Sequence, residues 1–232
     1  NNAHLPHADF TDTNLTGANL RYAILYTAEL CNTNLTNADL SYAYLIDVKF
    51  EKTNLNNAIL WRAELGSDLR KVNLSKVNLN GVNLELSNLE GINLSGKYLR
   101  DTQLSRTNLR FANLSQTILG GLFKRTDLRG ANLSQANLSE ADLSKAIYDA
   151  ETVFPDGTNL SKSYNISPGA NLEGADLKYM DLSNVNLKGA NLRNAKLNKV
   201  DLRGTNLSYA DLTNTDLEYA KLDNTNFYRS NL

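Results

Sequence analysis

The sequence is short of the residues that do chemistry. Histidine occurs twice, as His4 and His7, and cysteine once, as Cys31. Nothing after His7 can therefore serve as an imidazole acid, base or metal ligand, and Cys31 has no histidine to activate it. It reads as a passive thiol; with no second cysteine there is no internal disulfide, and cysteine usage leaves the redox compartment open. Proline occurs three times, methionine and tryptophan once each. No apolar run nears the roughly 18–20 residues that a membrane-spanning helix needs, so no membrane insertion is expected. The 24 basic and 25 acidic residues leave a net charge of -1, which gives no global field toward nucleic acid or anionic lipid. No charged-then-apolar leader is visible, but the chain starts at Asn1 without Met, so an upstream segment stays open. The compartment stays open with it: cytoplasm or, behind such a leader, periplasm or thylakoid lumen.

What is abundant is Leu, Ala and Asn at a fixed spacing. In TNLTNADLSYAYL, Leu35, Leu40 and Leu45 recur every five residues, each with a small residue two before it. Five matches neither the 3.6-residue turn of a helix nor the alternation of a strand. The pattern runs from Leu5 to Leu65, steps by four to Leu69, and continues in fives to Leu119. It steps by four again to Phe123, runs to Leu143, and after an irregular stretch resumes from Leu172 to Leu232. Both short steps follow a Leu-Gly pair, where glycine tolerates tighter backbone. Such units bury their leucines only if the chain turns regularly and returns above itself. Four units make a square coil of about 20 residues, paired with its neighbours at about 4.8 Å. One coil alone buries too little to offset ordering its backbone, so only a stack is stable.

The residue before every fourth central Leu supports the square. It reads Asn14, Asn34, Asn54, Asn73, Asn93, Asn113 and Asn132, whereas the other three columns are mixed. In-register amides that donate to one neighbour and accept from the other are the expected reason.

GANL, NADL, GANLEGADL and GANLRNAKL resemble the A(D/N)LXX motif of pentapeptide repeat proteins, over nearly the whole chain and most like the cyanobacterial members. The resemblance implies an all-β fold, a right-handed quadrilateral parallel β-helix with the central residue and the small residue inward. Val72, Val77, Val82, Ile92, Val185 and Val200 stand where Ala is usual. Lys97, at an inward place, implies either a bulged coil or a partly buried lysine, the bulge being preferred.

Residues 144–171 break the period with two of the three prolines and the turns PDG and SPG. Thr158-Asn159-Leu160 repeats the TNL signature of the Asn column. With Asn159 counted in, Asn186, Asn206 and Asn226 continue it. The expectation is a single domain over 1–232, about eleven coils in a rod about 50 Å long, with loop excursions near 149–157 and 161–169.

No phosphate loop, zinc spacing or calcium loop occurs, and the carboxylates sit at outward repeat positions. Asp149, Glu151 and Asp156 fit no metal-loop spacing and read as turn polarity. No enzyme and no cofactor are expected. Surfaces are left. Stacking brings Tyr22, Ile24, Tyr26, Tyr42, Tyr44 and Ile46 into one outward apolar patch, with Trp61 one coil on. It reads as a contact site or as cross-strand reinforcement, and the sequence leaves both open. A second column, Arg106, Arg125, Lys145, Tyr179, Lys199 and Tyr219, alternates basic and aromatic residues. Neighbouring aspartates make charge balancing the better reading than a polyanion track. The expected function is a scaffold that presents flat walls to another protein, with nucleic acid not expected as a partner. The resemblance implies one alternative, a DNA mimic that binds type II topoisomerase. That role uses a strongly acidic rod with a dimerising C-terminal segment, whereas this chain is nearly neutral. The uncapped repeat ends also leave end-to-end self-association open.

Overall fold

The computed structural model describes residues 2–232; Asn1 lies outside them. No helix occurs among the described residues. Each unit bends the chain by the same turn. The carbonyl of the central residue accepts the N–H three residues on, as from Leu15 to Ala18 and Leu20 to Ala23, both at 3.0 Å. The residue two after the centre takes a left-handed conformation, with φ 59° at His7 and 55° at Asn32. This is the signature of a type II turn, which explains the many Asn and Gly residues there. The residue before the centre pairs in parallel one coil on: His4 with Ile24, Asp9 with Glu29, Asn14 with Asn34, Asn19 with Asp39. Four such pairs per coil give four faces. They are numbered here in that order, the first face starting at His4.

Residues on either side of each pairing position point inward, so Ala38 and Leu40 are fully buried while Asp39 stays at the surface. Inward threonines satisfy their hydroxyls on the central carbonyl of the coil beneath: Thr53 on Leu30 at 2.6 Å, Thr102 on Leu79 at 2.9 Å, Thr205 on Leu182 at 2.6 Å. A buried polar group that is hydrogen-bonded carries little penalty.

The two short steps are repaired differently. At Leu65–Leu69 the inward residue is Ser67, whose hydroxyl accepts the Val48 N–H at 3.0 Å and donates to the Leu45 carbonyl at 2.7 Å. The hydroxyl is thus inserted into the Leu45–Val48 turn of the coil beneath, whose own N–H to carbonyl bond is not made. The second step lies in β2 (Ile118–Leu122), which pairs in parallel with β1 (Tyr98–Leu99) and β3 (Asn137–Asp142). The register shifts between Ile118 and Gly120. Gly121 has φ 97°, and a Cβ there would lie 2.5 Å from the Thr102 carbonyl oxygen, so only glycine fits.

Lys97 is a partly buried lysine and not the preferred bulge: its own coil keeps the regular turn, with the Lys97 N–H donating to the Leu94 carbonyl at 3.1 Å. It is half-buried, and its Nζ donates to the carbonyls of Ser75 and Val77 at 2.8 and 2.9 Å. The backbone irregularity falls one coil below, where the Asn57 N–H reaches the Lys76 carbonyl instead of that of Ser75. The ammonium thus takes up the freed oxygen, and its desolvation lowers its pKa.

Two expectations about the Asn column are corrected. The column pairs as foreseen from Asn14 through Asn34 to Asn54 and from Asn93 through Asn113 to Asn132, but the place above Asn132 belongs to Val153. Thr152-Val153-Phe154 is a complete repeat unit. The Thr152 hydroxyl bonds the Leu128 carbonyl at 2.9 Å, and Phe154 packs against the core. Residues 152–154, inside the expected excursion of 149–157, are therefore wall. Asn159 belongs to a later unit, whose Leu160 packs on the same core and whose Lys162 carbonyl accepts the Lys145 N–H. The second correction is the reason for Asn. Its Oδ1 accepts the N–H two residues on, as in Asn34 to Thr36 at 3.1 Å, Asn73 to Ser75 at 3.0 Å and Asn113 to Ser115 at 3.1 Å. These are Asx turns, a local device; the expected amide stacking is added to them in the later coils, where Asn226 Nδ2 donates to Asn206 Oδ1 at 3.3 Å.

Pairing on the second face ends with β4 (Ile147–Tyr148) against β5 (Tyr164–Asn165). In the later coils pairing restarts with Asn171 to Asn191, and Asn186, Asn206 and Asn226 form a separate column three pairing positions on. The buried core divides at the same point: one cluster runs from Ala23 to Ala146, the other holds Ile147 and then Ile166 to Leu212. Ile147 occupies an outward pairing position above Asp127, yet it is fully buried. The later coils, a second stack, thus rest on the second face of the first.

Candidate partner-binding surfaces

The aromatic patch occupies the corner between the fourth and first faces. Tyr22 and Tyr42 sit at the left-handed turn position, with φ 58° and 61°. Their rings stack at 4.8 Å with planes 12° apart, the coil repeat itself. Arg21 lies over both rings, at 5.6 and 5.8 Å, and pairs with Asp39 at 3.1 Å. On the first face Ile24 pairs with Tyr44, and Tyr44 meets Tyr26 with ring centres 5.9 Å apart. Tyr22, Tyr26 and Tyr44 are exposed, while Ile24, Tyr42 and Ile46 are half-buried. Trp61 stands one coil further along the corner, where its carbonyl accepts the Tyr42 N–H at 2.9 Å and its ring lies over Gly81. A Cβ at residue 81 would fall 2.3 Å from that ring, so the glycine is what lets the indole lie flat.

Bulky side chains in the left-handed region are strained by about 1–2 kcal/mol, and here they gain no core contact in exchange. The same position carries Asn32, Asn37 and Asn57 elsewhere in the stack, where that strain is small, and bulky residues again at Phe111, Tyr179, Tyr209 and Tyr219. The tyrosines are thus held at a position where asparagine would fold more easily.

The second column does not run straight. Arg106, Arg125 and Lys145 mark one corner of the first stack, and Tyr179, Lys199 and Tyr219 mark a corner of the later coils. The halves meet where the Arg106 guanidinium lies 5.4 Å from the Tyr179 ring centre. Lys199 sits between Tyr179 and Tyr219, at 5.6 and 5.9 Å. Arg125 and Lys145 both pair with Asp176, at 2.6 and 3.2 Å. Partial burial works to raise the Asp176 carboxyl, but the hydrogen bonds from Arg125 and Lys145 outweigh it and hold the carboxyl below its ordinary value. Two of the cations are thus consumed within the chain. Sequence reading placed these residues in one column because it had no sign that the stack bends; Ile147, apolar at an outward position, was the available signal.

Asp149 is likewise engaged, accepting the N–H groups of Gly130 at 2.9 Å and Glu151 at 3.1 Å. No group of three or more His, Cys, Asp or Glu that could hold a metal ion occurs among the described residues. None of their helices is long and apolar enough to cross a membrane.

The model for pentapeptide repeats matches in eight copies over residues 1–30, 23–62, 50–91, 83–121, 122–147, 169–204 and 195–232. The chain belongs to the pentapeptide repeat family. The unmatched residues, 148–168, are those around which the pairing stops and restarts. No protein of curated function matches. Among solved pentapeptide repeat structures, the chain is similar to HetL, involved in heterocyst differentiation regulation, from the cyanobacterium Nostoc sp. strain PCC 7120. That match has 26% identity over 100% of this chain and 87% of HetL, with a TM-score of 0.26. It is similar to alr5209 from Nostoc PCC 7120, at 25% identity over 68% and 85% of the two chains, with a TM-score of 0.17. It also matches full-length QnrB1, a plasmid-mediated fluoroquinolone resistance protein, at 14% identity over 96% and 90%, with a TM-score of 0.22.

Proposed function

We propose that the chain is a non-enzymatic scaffold that presents the aromatic corner around Tyr22, Tyr42 and Tyr44 to a protein partner. The observation that carries this reading is the stacked Tyr22–Tyr42 pair: bulky, strained, and on the outside of a core that is complete without it. Exposed aromatic side chains on a rigid backbone lose little entropy on binding and are frequent anchors at interfaces. The right hand of the coil belongs to the same reading and rests on the family resemblance, whereas about eleven turns rest on the count of five-residue units.

Capture of partners from the source organism by the protein and by its Tyr42→Ser/Tyr44→Ser variant tests the reading. A specific partner should be held by the former and lost by the latter, with affinity lower by about 2 kcal/mol or more. The variant should keep its melting temperature, since neither ring fills the leucine core. Equal capture by both, alongside a lowered melting point, returns the patch to structure. A DNA-supercoiling assay with gyrase separates this from the topoisomerase role. A nearly neutral rod should neither inhibit gyrase nor protect it from quinolones; either effect overturns the proposal.

A further inference from the structure

In a stack, the lower edge of each coil is completed by the coil beneath it. The Asp201 N–H donates to the Met180 carbonyl at 2.9 Å, and the Asp201 carbonyl accepts the Leu182 N–H at 2.8 Å. The coil that begins at Asn171 has no coil beneath it, and side chains of the first stack stand in. The Asp176 N–H donates to the Tyr164 hydroxyl at 3.2 Å, and the Asp181 carbonyl accepts from Arg129 Nη2 at 2.6 Å. These are the two kinds of backbone group that an open edge leaves unpaired. Arg129 is itself buried, with 4% of its side chain exposed, and is held by Asp127 at 2.5 Å. Ile147 closes the apolar end of the second core, and Asp176 gathers Arg125 and Lys145 at the rim. Open clefts of 170 and 410 Å³ flank the contact on its two sides.

Backbone ladders bind neighbouring coils cooperatively, each pair fixing the next. Here the ladder is interrupted, and the join between stacks is made by a few side chains, several of them charged. We infer that this seam is a hinge: residues 171–232 form an arm that swings as a rigid body against residues 2–165, latched in the bent form by Arg129, Tyr164 and Asp176. Each stack keeps most of its own core when the latch opens, because the second cluster takes only Ile147 and the partly buried Tyr164 from residues 2–165. The inference is independent of the aromatic corner, which lies wholly on the first stack.

Spin labels on the full chain at Ser95→Cys and Asp223→Cys, in a Cys31→Ser background, would read the angle between stacks by pulsed dipolar spectroscopy. In low salt the distance distribution should be single and narrow. Arg129→Met/Asp176→Asn should broaden it and add a second population, as should raising the ionic strength, because the rim pairs are partly exposed and open to screening. Amide exchange on the same variant keeps opening distinct from unfolding. The Asp176 N–H should exchange about tenfold faster or more, while the Asp201 N–H inside the arm stays protected, as expected of a sub-global opening. The milder Arg125→Gln variant should show the same change to a smaller degree. An unchanged distance distribution in the double variant overturns the hinge. So does loss of Asp201 protection together with that of Asp176, which would make the arm dependent on the seam for its fold.

Discussion

At the scale of the residue, the carboxamide or carboxylate before each central leucine does local work. Asn34 accepts from its own Thr36 twice, at the N–H and at Oγ1, and Asp39 does the same for Ser41. That is why Asp and Asn interchange along the faces while the turn stays constant. The Asn column was legible in the sequence and its cause only in part, because stacking, seen from Asn226 to Asn206, and turn-making ask for the same residue. Asp201 gives the clearest pH signature. The hydrogen bond from Arg203 holds its carboxyl down to about 2, against the smaller raising effect of burial. A folded pKa below the ordinary aspartate value of about 4 adds stability that is fully present above pH 4. It is lost as the pH falls from there through about 2. A carboxyl carbon NMR titration should put the Asp201 midpoint at about 2, and Arg203→Gln should return it toward about 4. A wild-type midpoint near about 4 would show that the pair is not formed in solution.

At the scale of the element, the five-residue unit was readable outside residues 144–171, since its leucines and small residues fill the core directly. The short steps were readable as positions, and the glycine in the second proved to be required by φ and by the Thr102 carbonyl. What repairs the first step was not readable. Ser67 is one small inward residue among many until its insertion between the Val48 N–H and the Leu45 carbonyl is seen. Ser67→Ala keeps the volume but strands a buried N–H and a buried carbonyl. It should lower stability by about 1–3 kcal/mol, measured by thermal melting. Ser75→Ala, at an outward position, should have no comparable effect. The unit at Thr152-Val153-Phe154 was missed because it lacks both Asn and Leu. Its threonine, β-branched residue and large apolar centre keep the pattern in chemistry, though not in letters.

At the scale of the whole molecule, sequence periodicity says how coils stack but not when a stack ends on another's face. The bend depends on Ile147, Arg129 and Tyr164; of these, Ile147 alone gave a signal in the sequence, as an apolar residue at an outward position. The aromatic corner was legible as composition, and the structure adds that two of its tyrosines occupy left-handed turns. This strain carries the functional reading, and it can be measured directly. In the Tyr22→Asn/Tyr42→Asn variant each corner receives the residue found at Asn32 and Asn37. The loss of one stacked pair, about 0.5–1.5 kcal/mol, should be offset by relief of about 1 kcal/mol of backbone strain at each site. Urea unfolding should therefore find the variant within about 1 kcal/mol of the parent, as expected of tyrosines kept for contact and not for the fold. A loss of about 3 kcal/mol or more would show that the corner holds the coils together, and would contradict the account.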